Sequence, residues 1–435
     1  MRNFVAIIPA DGDIANTILE MTNYLIKNIT VLDTTSEFNG RKADVLIEAG
    51  KIKKIDKSIE SANAETIDFS GSYFAQGFCD LYVNINDPGF EYREDIESVA
   101  NAAIAGGFTT ICAIANNHPI TQSKAQVEYI INNAKNTAVT ILPIGAVTEN
   151  FDGKTPTEML DMHHAGAVAF SDAPHSIKES GVLLRALQYV QPFDGLIITL
   201  PFDKTLVGDG QVNESEVSVR MGMKGITNLS EYSIVQRDIE LLKYTGGKLH
   251  FAGISTKESV DLIRKAKEEK LKITCSVFVH HLVSDENEVK NFDSNFKVFP
   301  PLRTQADQQA LIEGLKDSTI DCISTQHTPL NIDEKNVEFE VADFGIIGLE
   351  TAFGLLNKKL EHEISKEKLV ELLSKNPTEI INQQNDSFVI LNFDEEYIFT
   401  EKNIKSKSKN TPYINQTLKG KVKAVFSKGK LIIHS

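Results

Sequence analysis

The stretch that decides the fold is GFCDLYVNINDPGFEYRED, at residues 77–95. It opens with an apolar run at 78–85 that has the character of a buried strand. Seven further runs of this kind follow, at 109–116, 140–147, 167–172, 195–200, 248–255, 272–279 and 321–326. Helical patterns lie between most of them, for example at 257–270 and 305–315. Eight strands that alternate with helices over about 300 residues predict an α/β fold, a (β/α)8 TIM-type barrel. We place this barrel at 76–384.

Both ends of the chain differ from this middle. Alternating strand patterns fill 22–75 and return at 385–435, where Gly429 marks a hairpin turn. We therefore predict a small β-sandwich domain built from both chain termini. Residues 1–21 fit no periodic pattern, and we interpret them as an N-terminal extension, either a disordered arm or a segment outside the native protein. Region 203–235 predicts only a loop with Gly208 and Gly210, followed by a helix.

Composition and charge narrow the classes of function. The chain has 435 residues and a formal net charge of −15. Nucleic acids and anionic membranes require clustered Lys and Arg, so this acidic excess argues against both as partners. No apolar stretch approaches the roughly 20 residues of a membrane helix, and the run at 4–8 is too short for a secretion signal. We predict a cytoplasmic protein with no nucleic-acid partner and no membrane partner.

Short motifs in order along the chain resemble those of dihydroorotases, a family of the amidohydrolase superfamily. They comprise 77–95, 105–110, 170–172, His250 with 254–256, 280–282, 300–303, His327 with Pro329, 345–351 and 406–412. The resemblance spans nearly all of 22–435 and implies the same barrel fold. It also implies a role in pyrimidine synthesis, where these enzymes open or close a cyclic amide ring with one or two divalent metals, usually zinc.

The first strand departs from the pattern that this resemblance implies. Dihydroorotases carry a His-x-His there, and residues two apart on a strand face the same side, so both imidazoles reach one ion. Here those positions are Tyr82 and Asn84. A tyrosine keeps its proton at neutral pH, and an amide oxygen is a weak zinc ligand.

The other implied metal and proton-transfer positions are also mostly replaced. Asp172 matches the aspartate expected after the fourth strand. The histidine of the fifth strand aligns with Leu200, the histidine ligand of the sixth with Gly253, and the catalytic aspartate with Gln326. A bound metal lowers the pKa of water from about 15.7 to about 7, and losing most of its ligands should remove that activation. We therefore expect no catalytic residue, no bound metal and no cofactor at this degenerate site, although the ancestral family uses zinc.

The implied substrate positions are altered too. Asn86 aligns with an arginine that grips the substrate carboxylate, and Phe299 aligns with an asparagine. Asn116 matches an asparagine that contacts substrate, and His327 is a further candidate binding residue. With the two first-strand positions these side chains could instead line a pocket for a neutral small molecule, which would make the chain a sensor. We prefer the interpretation that they fill an unused pocket.

The remaining histidines offer a route to an unusual metal site. Asp172 with two of His250, His280, His281 and His327 could bind zinc in principle. Adjacent His280 and His281 are predicted to lie on a strand and to point to opposite faces, so at most one would enter the barrel mouth. We interpret these histidines as hydrogen-bonded structural groups.

Two main hypotheses about function follow. Some dihydroorotase relatives without the metal ligands assemble with aspartate carbamoyltransferase, so the resemblance implies a non-catalytic structural partner of that enzyme. We also expect a homo-oligomer. The alternative is an active dihydroorotase, or a related cyclic-amide hydrolase, with an atypical metal site. Metal content and turnover would distinguish the two.

Overall fold

The structure is a computed structural model that describes residues 17–20, by their backbone alone, and residues 23–434. Of the predicted N-terminal extension at 1–21, residues 1–16 and 21 lie outside the described residues. Thr17–Glu20 forms a strand that pairs antiparallel with Lys430–Ile433. This part of the predicted extension therefore belongs to the terminal β domain.

The strands follow one another along the chain in short segments. They are β1 (Thr17–Glu20), β2 (Tyr24–Leu32), β3 (Lys42–Glu48), β4 (Lys51–Asp56), β5 (Glu65–Asp68), β6 (Tyr73–Gln76), β7 (Phe78–Val83), β8 (Phe108–Ala113), β9 (Thr140–Gly145), β10 (Ala169–Phe170), β11 (Ile197–Thr199), β12 (Val212–Asn213), β13 (Gly225–Ile226), β14 (Leu249–Phe251), β15 (Ile273–Phe278), β16 (Cys322–Ser324), β17 (Phe388–Ile398), β18 (Thr417–Ser427) and β19 (Lys430–Ile433).

The helices lie mainly between the strands of the middle region. They are α1 (Ile96–Ala105), α2 (Lys124–Asn133), α3 (Met159–Ala165), α4 (Ser180–Tyr189), α5 (Lys204–Val207), α6 (Glu216–Met221), α7 (Leu229–Thr245), α8 (Lys257–Glu268), α9 (Val279–Val283), α10 (Gln305–Lys316), α11 (Ile332–Lys335), α12 (Ala352–Leu360), α13 (Lys366–Leu373) and α14 (Lys375–Ile380). α8 shows the local cause: the Thr256 side chain caps its first turn, and Val260, Ile263 and Ala266 form its buried face.

The predicted (β/α)8 barrel is confirmed. Within the described residues, eight parallel strands form one sheet in the order β16-β15-β14-β11-β10-β9-β8-β7. Seven of them fall inside predicted runs, and β8 begins one residue before its run. A parallel bridge between Val83 and His327 brings the two edge strands together. The carboxyl ends of all these strands therefore meet at one end of the barrel, which we call the barrel mouth.

The predicted β domain from both termini is also confirmed. Over the described residues its strands form one hydrogen-bonded sheet in the order β1-β19-β18-β17-β6-β2-β3-β4, with β5 paired to β2. Its core brings together side chains from the two ends of the chain, among them Tyr24, Val45, Phe74, Phe388 and Phe426. The domain therefore needs both termini to bury its apolar face.

Region 203–235 is more regular than the sequence predicted. It contains α5, α6, the start of α7, and a two-stranded sheet of β12 and β13. These pieces are too short to show a periodic pattern, which is why only the final helix could be predicted. None of the helices that the structure describes combines the length and the apolar character of a membrane crossing.

Candidate functional site

The first-strand positions Tyr82 and Asn84 lie at the carboxyl end of β7, as the barrel fold requires. Both side chains are buried. The Tyr82 ring packs edge-on against Phe278 with the ring centroids 5.1 Å apart. Burial raises the pKa of the Tyr82 phenol, while a hydrogen bond with Gln326 acts in the opposite direction. The phenol therefore stays protonated and sits in an aromatic environment.

The amide side chains of the mouth hydrogen-bond to one another and to nearby backbone. Asn84 Nδ2 donates to the carbonyl oxygen of His327 over 3.0 Å, and Asn84 Oδ1 accepts from Asn116 Nδ2. Asn86 Nδ2 lies 3.4 Å from the carbonyl oxygen of Pro329. These bonds tie the end of β7 to the segment after β16, so the amides help to close the barrel.

Gln326, at the predicted catalytic aspartate position, is nearly buried. Its Nε2 donates to the carbonyl oxygen of Phe299 over 2.6 Å. The half-buried Phe299 ring in turn packs edge-on against Phe202 at a centroid distance of 4.7 Å. A carboxylate at position 326 could not donate this hydrogen bond, so the structure suits the amide found there.

Asp172 is buried, and both of its carboxylate oxygens are occupied. Oδ1 accepts from the backbone N–H of Val147 at 2.8 Å and of Thr148 at 2.9 Å. Oδ2 accepts from the Thr148 hydroxyl at 2.6 Å. Burial raises the pKa of Asp172, and these three bonds act against that effect. The carboxylate therefore holds the loop that follows β9.

An aromatic ring fills the space next to Gly253. A Cβ atom at this position would lie 2.0 Å from Cε2 of Phe278, and the backbone φ of +61° is itself unfavourable for other residues. Phe278 shares one buried apolar cluster with Tyr82 and Leu200. Position 253 therefore has no room for a histidine unless the Phe278 ring moves.

His250 lies on β14 and contacts hydroxyl groups of the neighbouring strand. Its Nδ1 is 2.9 Å from Thr274 Oγ1, and its Nε2 is 3.1 Å from Ser276 Oγ. The ring is completely buried, and burial lowers the pKa of His250 to about 3. It is thus a neutral, hydrogen-bonded side chain, in agreement with a structural role.

The prediction that His280 and His281 lie on a strand was wrong. β15 ends at Phe278, and both histidines lie in α9 with their ring centroids 4.5 Å apart. His281 Nε2 is 3.0 Å from the carbonyl oxygen of Pro300, which can only accept, so Nε2 carries the proton. Burial lowers the pKa of His281 to about 4. Both rings are buried beside Phe278.

His327 bridges the mouth to a buried carboxylate that the sequence pattern did not reveal. Its Nδ1 accepts from the backbone N–H of Gly348 at 3.2 Å, and its Nε2 lies 3.4 Å from Glu94 Oε2. Glu94 is completely buried and also accepts from the Ser406 hydroxyl. Glu94 sits in a charged run at 91–95, where nothing in the sequence distinguishes it from its more exposed neighbours.

A second group that the sequence did not reveal is the buried Glu231–Arg303 cluster. Glu231 accepts from the backbone N–H groups of Ser255 at 2.9 Å and Thr256 at 3.0 Å. Arg303 lies 4.0 Å from Glu231 and donates to Asn213 Oδ1 at 2.8 Å. Arg303 belongs to the motif at 300–303, but its partner falls in region 203–235, where the sequence predicted little.

Among residues 23–434, no three or more His, Cys, Asp or Glu side chains form a group arranged to hold a metal ion.

Solved structures share this architecture. The L-hydantoinase (dihydropyrimidinase) of Arthrobacter aurescens superposes with a TM-score of 0.84 at 22% identity, covering 94% of this chain and 96% of that one. A dihydropyrimidinase from Brevibacillus agri superposes with a TM-score of 0.80 at 17% identity, covering 95% of each chain. At such low identity these likenesses establish the fold.

Other relatives are more similar to this chain in sequence than these solved structures are. The family model described as dihydro-orotase-like matches residues 71–259. A protein named dihydroorotase from Caldanaerobacter subterraneus subsp. tengcongensis is 44% identical over 94% of this chain and 96% of its own length. Another of that name, from Thermoanaerobacter sp., is 41% identical over 94% of this chain and 96% of its own. Since these matches cover almost the whole of both chains, the chain belongs to the dihydroorotase family.

Proposed function

We propose that this chain is a non-catalytic member of the dihydroorotase family that binds no catalytic zinc and acts as a structural partner of aspartate carbamoyltransferase. The observation that carries the proposal is the filled barrel mouth. The Phe278 ring occupies the space beside Gly253, where the family resemblance would place a histidine ligand.

The residues present do not fit a zinc ion. Zinc prefers thiolate, imidazole and carboxylate ligands, usually four in number. The implied positions instead offer a protonated phenol at Tyr82, amides at Asn84 and Gln326, and no donor at Leu200 or Gly253. The carboxylate that remains, at position 172, already accepts three hydrogen bonds from the loop after β9.

The acid–base group implied for the reaction is also missing. An amide has no group that ionises near neutral pH, so Gln326 cannot act as a general acid or base. General acid–base assistance typically contributes about 10²–10⁴-fold to a rate. Together with the lost metal activation of water, this supports an inactive mouth.

The proposed partnership draws on the family resemblance. A barrel with all eight strands and a β domain that closes with both termini give a complete scaffold around the filled mouth. Such a scaffold suits a protein that contributes surface to an assembly. The homo-oligomer and the cytoplasmic location stay predictions.

A second candidate function is an active dihydroorotase with an atypical metal site. It is favoured by the names of the relatives, since proteins called dihydroorotase reach 44% identity over 94% of this chain. For this alternative, the Phe278 ring would have to leave the mouth and expose donors that are now hydrogen-bonded.

The deciding experiment measures metal content and dihydroorotate turnover on the same sample. The full chain is purified without chelator, supplied with zinc, dialysed and analysed by elemental mass spectrometry. We expect far less than one zinc ion per chain. We also expect that the protein neither opens the ring of dihydroorotate nor closes it in the reverse reaction. The Caldanaerobacter relative, treated identically, serves as the positive control for the assay. One or two zinc ions per chain together with turnover would overturn the proposal.

A further inference from the structure

A groove of about 660 Å³ lies beside the barrel mouth and has no role in the site described above. Its walls come from the loops that follow β7, β15 and β16, and from a segment of the β domain. Its lining residues are Tyr92, Phe292, Asp293, Ser294, Asn295, Leu330, Asn331, Ile332, Lys335, Asn336, Val337 and 407–410. We call this feature the mouth groove.

Large apolar side chains on the rim of the mouth groove are exposed to solvent. The exposed fraction is 56% for Tyr92, 48% for Phe292, 67% for Ile332 and 37% for Val337. Single exposed apolar residues are common on protein surfaces. Four of them around one groove, contributed by three different loops, are typical of a protein–protein contact site.

The loop at 331–343 contributes residues 331, 332 and 335–337 to one wall, and it carries exposed acidic side chains beside that wall. Asp333, Glu338, Glu340 and Asp343 are exposed. Within the described part of the chain, none of the four lies within salt-bridge distance of a cation. Glu340 and Asp343 interact electrostatically with the buried Lys297, whereas Asp333 and Glu338 flank the apolar rim residues Ile332 and Val337. An apolar groove flanked by these two carboxylates favours a positively charged occupant.

The lysines that line the groove do not cancel the charge of Asp333 and Glu338. Lys407 pairs with Asp95, and Lys409 pairs with Glu401 at 2.8 Å, so both cations are already matched on the opposite wall. Lys335 is buried, and its Nζ donates to the backbone carbonyl oxygens of two residues of this region. Burial lowers the pKa of Lys335 to about 7, which reduces its positive charge further.

The net charge of the chain also distinguishes between a second copy of this chain, a membrane, a nucleic acid and a basic protein as the occupant of the groove. A second copy of this chain, with its net charge of −15, would place one acidic loop against another if it docked symmetrically through this groove. Anionic membranes and nucleic acids are disfavoured for the same reason. A partner protein that presents Arg or Lys residues around an apolar anchor fits both the charge and the exposed side chains.

We propose that the mouth groove, with its acidic loop 331–343, is the docking surface for a basic, apolar-anchored surface of a partner protein. This inference rests on the proposed function, because it assigns the groove to the assembly with aspartate carbamoyltransferase. It adds the place of contact and the chemistry of the partner's surface.

The test uses the full chain and the aspartate carbamoyltransferase of the same organism, with binding measured by titration calorimetry. The groove variant carries Asp333→Lys with Glu338→Lys. The control variant carries Glu60→Lys with Glu65→Lys, which makes the same charge change at exposed acids of the β domain. We expect the groove variant to raise the Kd at least about tenfold, because like charges then face each other. The control should leave the Kd nearly unchanged.

Two further arms separate apolar from ionic contributions. Ile332→Ala should also weaken binding by roughly tenfold if this side chain is an anchor. Added salt should weaken the wild-type complex and leave the groove variant much less affected. All variants are first checked by thermal unfolding, since exposed substitutions should leave the melting temperature nearly unchanged.

The outcomes distinguish the groove from the partnership. If wild type binds and the groove variant binds equally well, the docking surface is overturned while the partnership stands. If wild type does not bind, the partnership fails and the docking surface falls with it. If wild type forms dimers that the groove variant cannot form, the occupant is a second copy, and the inference is overturned.

Discussion

Two buried polar groups near the carboxyl ends of the barrel strands differ in charge. The Glu231–Arg303 cluster contains a full carboxylate and a full guanidinium, each held by several hydrogen bonds. The barrel mouth contains the neutral side chains of Tyr82, Asn84 and Gln326 around an aromatic ring. Both are largely buried, and of the two only the Glu231–Arg303 cluster contains an arginine beside a carboxylate.

This difference shows which stabilising contacts each region requires in order to stay buried. A buried charge is tolerated only where a counter-charge and hydrogen bonds replace water. The Glu231–Arg303 cluster meets that condition by itself. A group of several metal ligands would meet it only with an ion bound. In the mouth, the Asp172 carboxyl meets it through hydrogen bonds from the loop after β9, and the amides, the phenol and the apolar ring are stable without any ion.

The largest effect is expected when the charged cluster is broken. Arg303→Ala would leave Glu231 buried without its counter-charge, which typically costs about 3–5 kcal/mol of unfolding free energy. Urea unfolding of the full chain, followed by circular dichroism, measures this loss. A loss of this size would show that the stability of the fold depends more on the charged cluster than on the mouth.

The matched control for this variant is Arg220→Ala. Arg220 pairs with Glu216 on the surface, where both side chains are mostly exposed. Such pairs contribute little to stability. If both arginine variants lose equally little, the buried pair does not stabilise the fold and the contrast with the mouth disappears.

The next largest effect concerns the aromatic ring of the mouth. Phe278→Ala should lower the unfolding free energy by about 3 kcal/mol, because it removes a completely buried ring and leaves a cavity. Tyr244→Ala is the control, since Tyr244 is 78% exposed and should lose little. Unfolding and zinc content are measured together. A stable Phe278→Ala variant that takes up zinc would mean that the mouth is an obstructed metal site and not ordinary core.

The barrel could be predicted because its strands are local in sequence. Most of the eight runs are largely apolar, and parallel strands buried on both faces have this pattern. The carboxyl end of β7 was also predictable, so the strand pattern together with the family resemblance was enough to place Tyr82 and Asn84 at the mouth. Burial and hydrogen bonds then account for why neutral groups suit these positions.

Features that depend on contacts between distant residues could not be predicted. The fit of the Phe278 ring beside Gly253 joins two different strands, and no local pattern encodes it. The end of β15 at Phe278 was missed for a related reason: His280 and His281 continue an apolar run, and periodicity cannot distinguish a short buried helix from a strand. Glu231 lies in the first turn of α7, which was predicted as a helix, but its pairing with Arg303 joins distant residues that no local pattern connects.

The smallest expected effect concerns His250, a neutral group beside the mouth, and it appears as a pH dependence. Burial lowers the pKa of His250 from 6.5 to about 3, so above pH 6.5 the imidazole is neutral in both the folded and the unfolded chain. As the pH falls below 6.5, the imidazole becomes protonated in the unfolded chain while it stays neutral in the folded chain. The free energy of unfolding therefore decreases. At about pH 5 this one group should lower the unfolding free energy by about 2 kcal/mol.

His250→Gln should therefore reduce the loss of stability between about pH 7.5 and pH 5 by that amount, whatever its effect at neutral pH. His362→Gln, at a side chain that is 88% exposed, should leave the loss unchanged. Equal pH dependence in wild type and His250→Gln would mean that His250 accepts a proton in the folded barrel, and that this polar group can carry charge after all.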